Sequence, residues 1–346
     1  MRRAAGAGVC IGLSLMLAGL AFADEAAFHA AALGADPCIP LPPVDDAFGP
    51  YASLDVLGLQ RDNESVQRPL VNDAVAGDPV LASGDLAAAM GVGSRLFVGS
   101  RSPDCWGCEA GYCGVYGMTA VSQLSGNGNL AIAGPLSQRV LPFSDADSAR
   151  TTWVSSLNSA EFNAFHSRVA GTSFIDLLGG FRYVSLEEQA TMAFTFGRTG
   201  PTRPLTSDYT TQTSNNLFGG QIGARARRSW DFWALEGWAK AGAFGNLEGQ
   251  SQGPIVDPGG VSTVVRSARS SSATEMAFVG DLNATLVYRI TPVWGARIGY
   301  NLLWIDGVAL APDQWDFSTN ANAGTTLAGG GGVFLHGASV GLEARW

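Results

Sequence analysis

Past its first twenty residues the sequence has no long apolar run, so no later segment reaches the roughly 20 apolar residues of a membrane-spanning helix. Charge is scarce too: Asp, Glu, Lys and Arg make up 15% of residues, against about 25% in an ordinary soluble domain. Histidine is scarcer still, with three residues, and there are five cysteines. These shortages exclude a bundle of membrane helices and leave little material for a histidine-rich metal centre. Neither a phosphate-binding loop nor an H-E-x-x-H spacing occurs. The chain is therefore expected to carry no catalytic residue, no cofactor and no metal, and not to be an enzyme.

What is present is glycine, 45 residues of it, and 46% hydrophobic residues. That much glycine argues against a helical protein, because each one in a helix interior costs about 1 kcal/mol. The opening "MRRAAGAGVCIGLSLMLAGLAFADEAAF" has a basic start, an apolar stretch and an A-x-A site ending at Ala23. It is expected to be a secretory signal peptide over residues 1–23, cleaved before Asp24. Cleavage removes Arg2 and Arg3 and no acid, so the formal charge of −9 becomes −11. An acidic export product is a poor fit to nucleic acid, and no such partner is expected.

Cys10 leaves with the signal peptide. Cys38, Cys105, Cys108 and Cys113 remain, the last three in "CWGCEAGYC". An even number in an oxidising compartment reads first as two disulfides, at least one within the cluster. Zinc is the alternative, since C-x2-C is a ligand spacing, but a second half-site is missing.

Residues 24–50 are rich in Ala and Pro without period and read as a periplasmic lead-in; residues 51–346 alternate. In "EMAFVGDLNATLVYRI", Met276, Phe278, Leu282, Leu286 and Tyr288 oppose Glu275, Asp281, Asn283, Thr285 and Arg289. In "VWGARIGYNLLWIDG", Trp294, Ile298, Tyr300, Leu302 and Trp304 oppose Arg297 and Asn301. Period two is the signature of strands with one apolar and one polar face. Ten strands are predicted, near 51–62, 90–101, 110–120, 152–168, 172–187, 215–228, 231–246, 274–290, 293–306 and 333–346. Short turns such as "VAG", "SWD" and "TPV" alternate with long polar loops. That sorting, with an even strand count, predicts an all-β, antiparallel, up-and-down transmembrane barrel with short periplasmic turns and long extracellular loops. The apolar face then touches lipid.

Trp230, Trp233, Trp294 and Trp346 fall at the short-turn ends and Trp153 and Trp304 at the other, as two interfacial girdles require. Trp346 ends the chain on an alternating strand, which resembles the signal read by the outer-membrane assembly machinery. The opposite face is expected to line the lumen with Glu161, Asp176, Glu236, Glu275, Asp281 and Glu343 and with Arg182, Arg225, Arg227, Lys240, Arg289, Arg297 and Arg345. Near balance of sign suggests paired charges across a narrow interior, because barrels of eight to ten strands are about wide enough for side chains to fill. His166 and His336 share the lipid-side parity, His29 lies in the lead-in, and Glu187, Glu188, Asp145 and Asp147 read as solvated loop charge.

"FIDLLGGFRYVSLEE", "TSNNLFGGQIGARA", "YRITPVWGARIGYNLLWIDGVALAPDQ" and "GLEARW" together resemble the seventh putative β-barrel porin family of bacteria. "SSLNSAEFNAF" and "YASLDVLGLQRD" are similar to its earlier strands, so the resemblance runs over about residues 51–346. It implies an outer-membrane barrel. The function expected is a narrow pore or passive transporter of small solutes. The alternative is a structural or surface-interaction barrel that uses its long loops and has no open channel.

Overall fold

The alternation seen in the sequence becomes a wall of long antiparallel strands in the computed structural model, which describes residues 48–197, 204–259 and 261–346. The expected signal peptide, Cys38 and nearly all of the lead-in lie outside the described residues. Fourteen strands occur among the described residues: β1 Gly49–Asp62, β2 Pro69–Asp73, β3 Pro79–Ala82, β4 Gly91–Arg101, β5 Trp106–Ile132, β6 Ala146–Ala170, β7 Ser173–Phe196, β8 Leu205–Ser229, β9 Trp233–Gln252, β10 Ile255–Asp257, β11 Thr263–Arg266, β12 Arg269–Arg289, β13 Trp294–Val308 and β14 Gly331–Arg345. The count exceeds the ten expected.

Ten of the fourteen close a ring in the order β1, β4, β5, β6, β7, β8, β9, β12, β13, β14, and β14 returns to β1. The closing seam runs from Tyr51 opposite Arg345 to Asp62 opposite Phe334. The four additional strands sit in the long loops: β2 and β3 extend the sheet beside β5, and β10 and β11 form a separate hairpin. Residues 102–105, 171–172, 230–232 and 290–293 make the short turns, while the long connections include 63–90, 133–145 and 309–330.

Strands β5 to β9 run well past their predicted ends, β8 for instance starting at Leu205 and not near residue 215. Above the apolar band both faces of these strands leave the apolar/polar alternation, as in "TSDYTTQTSNN". Backbone pairing continues where the sequence signal stops.

Side-chain direction follows parity. On β13 the outward positions Trp294, Ala296, Ile298, Tyr300, Leu302 and Trp304 are all apolar or amphipathic. The eleven residues from Trp294 to Trp304 match the 9–11 residues of a tilted transmembrane strand. Around the ring Leu54, Leu96, Phe162, Leu177, Phe181, Ile222, Leu235, Met276, Leu342 and many others stand exposed. A continuous apolar belt of this kind belongs to a bilayer and not to water.

Height along one strand is therefore testable. Leu286 lies within the belt on β12, and Ser272 lies on the same outward face above it. Leu286→Arg is expected to cost about 2–4 kcal/mol and Ser272→Arg about 0–1 kcal/mol in denaturant titration of the protein folded into vesicles. Thr285, inward, is nearly fully buried and donates to Asn283 Oδ1 at 2.8 Å. The filled interior gives Thr285→Arg no room, so this substitution too is expected to destabilise and is not a tolerated lumen change.

Candidate functional site

The inward faces of the ten ring strands converge on a narrow interior, and side chains fill it in layers. Nearest the short turns, Glu236 meets Arg227 at 3.2 Å, Arg297 at 3.4 Å and Arg345 at 3.1 Å. Glu343 meets the same three at 2.6, 2.7 and 3.3 Å. Beside them Asp176 holds Arg101 and Arg225, each at 2.7 Å, and Tyr51 donates its hydroxyl to Glu109 at 2.7 Å. One layer higher Lys240 pairs with Glu161, Arg182 with Asp281 at 3.1 Å, and Arg95 with Asp55 at 2.7 Å. Trp238 completes Asp281 by donating Nε1–H at 3.0 Å. Most of these charges are almost wholly removed from water, Asp281 being the most exposed at 19%, and each has a partner of opposite sign on another strand. Burial of a lone charge would cost several kcal/mol, so the pairing is what allows so many to sit inside.

Above the charges lies an apolar septum that includes Leu57, Leu186, Leu217, Phe244, Leu303 and Leu335. Above the septum Arg61 pairs with Glu188 and lies over the Trp153 ring at 4.2 Å. Glu188 also accepts from Trp153 Nε1 at 3.2 Å, Ser155 Oγ at 3.2 Å and the Ala311 N–H at 2.9 Å.

That last bond ties the final long loop into the lumen. A bulge at Gly307, φ +82°, turns the chain inward at the top of β13. A side chain at Gly307 would strike the Met276 carbonyl. Asn215 then bonds both the N–H and the carbonyl of Ala309, at 2.8 and 2.9 Å. Thr211 donates to the Ala311 carbonyl at 2.8 Å and Gln252 to the Gln314 carbonyl at 2.7 Å. Trp315 lies buried with Tyr209, Phe143 and Phe194 in a second apolar cluster under the loops. Farther along, burial favours the neutral form of Asp316, but N–H groups of Ser318 and Gly324, both at 2.9 Å, hold its carboxyl below the usual range.

Of the thirteen charges predicted for the lumen, the structure brings eleven into this network. Two stand apart. Glu275 keeps the inward parity but is exposed near the loop end, and Arg289 is half-buried at the short-turn end. Sequence reasoning missed Asp55, Arg61, Arg95, Arg101 and Glu109, because glycines interrupt the alternation of the first three ring strands. It also placed Glu188 in solvent, whereas β7 continues to Phe196 and carries Glu188 inside. Glu187, one residue earlier, does face out.

Trp153 is a correction: it is buried in the upper lumen and takes no part in a girdle. Its odd position on β6 is the parity of inward Glu161, which was the available signal. Trp230, Trp233, Trp294 and Trp346 stand exposed at the short-turn end, joined by Trp106, and Trp304 is half-buried against Phe278 at 6.0 Å. His166 faces out against Trp106 at 4.9 Å. His336 bonds the Tyr300 hydroxyl at 2.8 Å and lies 3.7 Å from Asp62, a neighbour supplied by the β1–β14 register. The spacing G-x-S-x-G does occur in the sequence, as "GASVG" at 337–341. It lies inside β14, without the strand-to-helix turn that a nucleophile elbow requires.

The expected disulfide within the 105–113 cluster is also corrected. Cys108 and Cys113 are free thiols, and Cys105 is not. Five residues apart on β5, Cys108 faces out and Cys113 faces in, so the barrel wall separates them. No group of three metal-ligating side chains occurs among the described residues. Alkylation of denatured, unreduced protein is expected to label Cys108 and Cys113 and to spare Cys105; labelling of all three would contradict it. A second expectation concerns Asp316. With a depressed folded pKa, its contribution to loop stability is present above the ordinary value of about 3.9 and is lost as pH falls below it. Asp316→Ala should therefore speed hydrogen exchange at 316–324 at pH 7, and the two proteins should converge in stronger acid.

The profile of the family described as Putative beta barrel porin-7 (BBP7) matches residues 139–346. No protein of curated description matches the chain. Similar solved structures include the outer membrane protease OmpT from Escherichia coli, 12% identical, with 89% of this chain and 100% of that one covered and a TM-score of 0.48. A major outer membrane protein from Thermus thermophilus is 11% identical over 85% and 99% of the two chains, TM-score 0.32. A Pseudomonas aeruginosa FadL homologue is 10% identical over 86% and 90%, TM-score 0.27. The expectation that the chain is not an enzyme is corrected to this extent: an outer membrane protease stands among the similar solved structures. With more than half of its length matched, the chain belongs to the beta barrel porin-7 family of outer-membrane β-barrels.

Proposed function

We propose that the protein is a closed outer-membrane barrel that fixes a platform of long loops at the cell surface, with no continuous aqueous path through it. The observation that carries this reading is the filled lumen. Cavities along it measure about 10, 20 and 30 Å³, room for little more than a water molecule each. A pore or passive transporter, the expected function, needs a connected wet path, which the apolar septum and the pinned 309–315 segment interrupt. The reading includes export by cleavage after Ala23, contact of the apolar belt with lipid, and recognition of β14 by the assembly machinery. Trp346 suits that last role, since it stands exposed and its N–H bonds the Pro50 carbonyl at 3.1 Å.

Cys113 reports on the lumen directly, because its side chain lies there beside Arg182 and Asp281. In a Cys108→Ala background, folded protein in vesicles should resist a small water-soluble thiol reagent for hours and react once denatured. Fast labelling of folded protein would favour the pore.

A further inference from the structure

Strands β6 to β9 rise above the apolar belt, and their outer faces change character there. On β8 the outward series passes from Ala226, Ala224, Ile222, Gly220 and Phe218 to Asn216, Ser214, Gln212, Thr210, Asp208 and Thr206. Register sets Ser156 opposite Glu187, Glu187 opposite Ser214, Gln189 opposite Gln212 and Gln212 opposite Ser251. Six polar outward side chains of four strands thus form one patch, with Val154 on β6 beside Gln189 as its apolar border. The patch borders a shallow, open concavity of about 590 Å³ on the outer wall. A second concavity of about 420 Å³ adjoins it across Gln212 and Ser251.

The chemistry is amide and hydroxyl, with Glu187 the one charge among the six. Gln212 donates to Gln189 Oε1 at 3.0 Å, and Thr191 and Thr210 share a hydroxyl bond of 3.0 Å, so the patch is held in a fixed array. Such groups match hydroxyl-rich ligands, which exchange several neutral hydrogen bonds, better than they match phosphate or an apolar chain.

Position supplies the rest. Ser214 is one outward step, about 7 Å of strand, above Asn216, where the belt ends. Tyr183 donates to Asn216 at 2.7 Å, marking the interface. A molecule seated here touches the lipid-facing surface below without a break.

We infer that this patch binds the sugar headgroup of a glycolipid in the outer leaflet, laterally, with its acyl chains against the belt beneath. The inference rests on the membrane placement proposed above. Tyr183 and Phe218, 4.8 Å apart, lie where the chains would leave the headgroup.

The test uses protein folded into phosphatidylcholine vesicles with and without lipopolysaccharide, then released in mild detergent for native mass spectrometry. Folding into the sugar-free vesicles checks the membrane placement separately. Wild type should carry lipopolysaccharide. Ser214→Trp, which fills the concavity, and Gln189→Ala/Gln212→Ala, which removes its donors, should carry about tenfold less, as loss of two net hydrogen bonds predicts. Thr206→Trp, higher on the same face, should carry as much as wild type. Equal carriage by Ser214→Trp and wild type, or none by wild type that has folded, would overturn the inference. So would equal binding of free core oligosaccharide without the lipid.

Discussion

Inside a bilayer there is no water to pair a backbone N–H or carbonyl, and every part of this structure answers to that constraint. A sheet satisfies it by having no edge. The decisive pairing is the seam between the first and last ring strands, twelve residue pairs from Tyr51–Arg345 to Asp62–Phe334. Once the ring is closed, parity does the sorting: one set of side chains must suit lipid, and the other must suit an interior of fixed width.

That width explains the interior. Ten strands enclose a space close to what side chains alone can fill. Long, charged side chains fill it by spanning the lumen, and in a low-dielectric space they are tolerable when mutually paired. Glu236 and Glu343, each meeting Arg227, Arg297 and Arg345, are the densest case. The septum around Leu57, Leu217 and Phe244 separates this charged half from the loop half, so the layers differ in how they are held. Truncating one member of a buried pair leaves its partner uncompensated, and such changes typically cost about 3–5 kcal/mol.

How much of this was legible in the sequence depends on which signal each element carries. The ten ring strands, the short turns and most lumen charges follow from period two, and β12 and β13 read almost residue by residue. What failed did so for physical reasons. Glycines in β4 and β5 let backbones approach but erase the alternation that would have revealed Arg95 and Glu109. Strand lengths above the belt are set by backbone pairing, which no face pattern reports, so Glu188 was misplaced. Cys108 and Cys113 looked adjacent in sequence, yet odd spacing on a strand puts them on opposite sides of a wall. The inward course of "VALAPDQW" follows from a single positive-φ glycine and from Asn215, Thr211 and Glu188, all distant in sequence.

Current recording across a planar bilayer reads the state of the lumen itself. With folded protein inserted, the baseline should be indistinguishable from bare lipid over a wide voltage range. Reproducible discrete current steps from the wild-type protein would contradict a filled, septum-closed lumen.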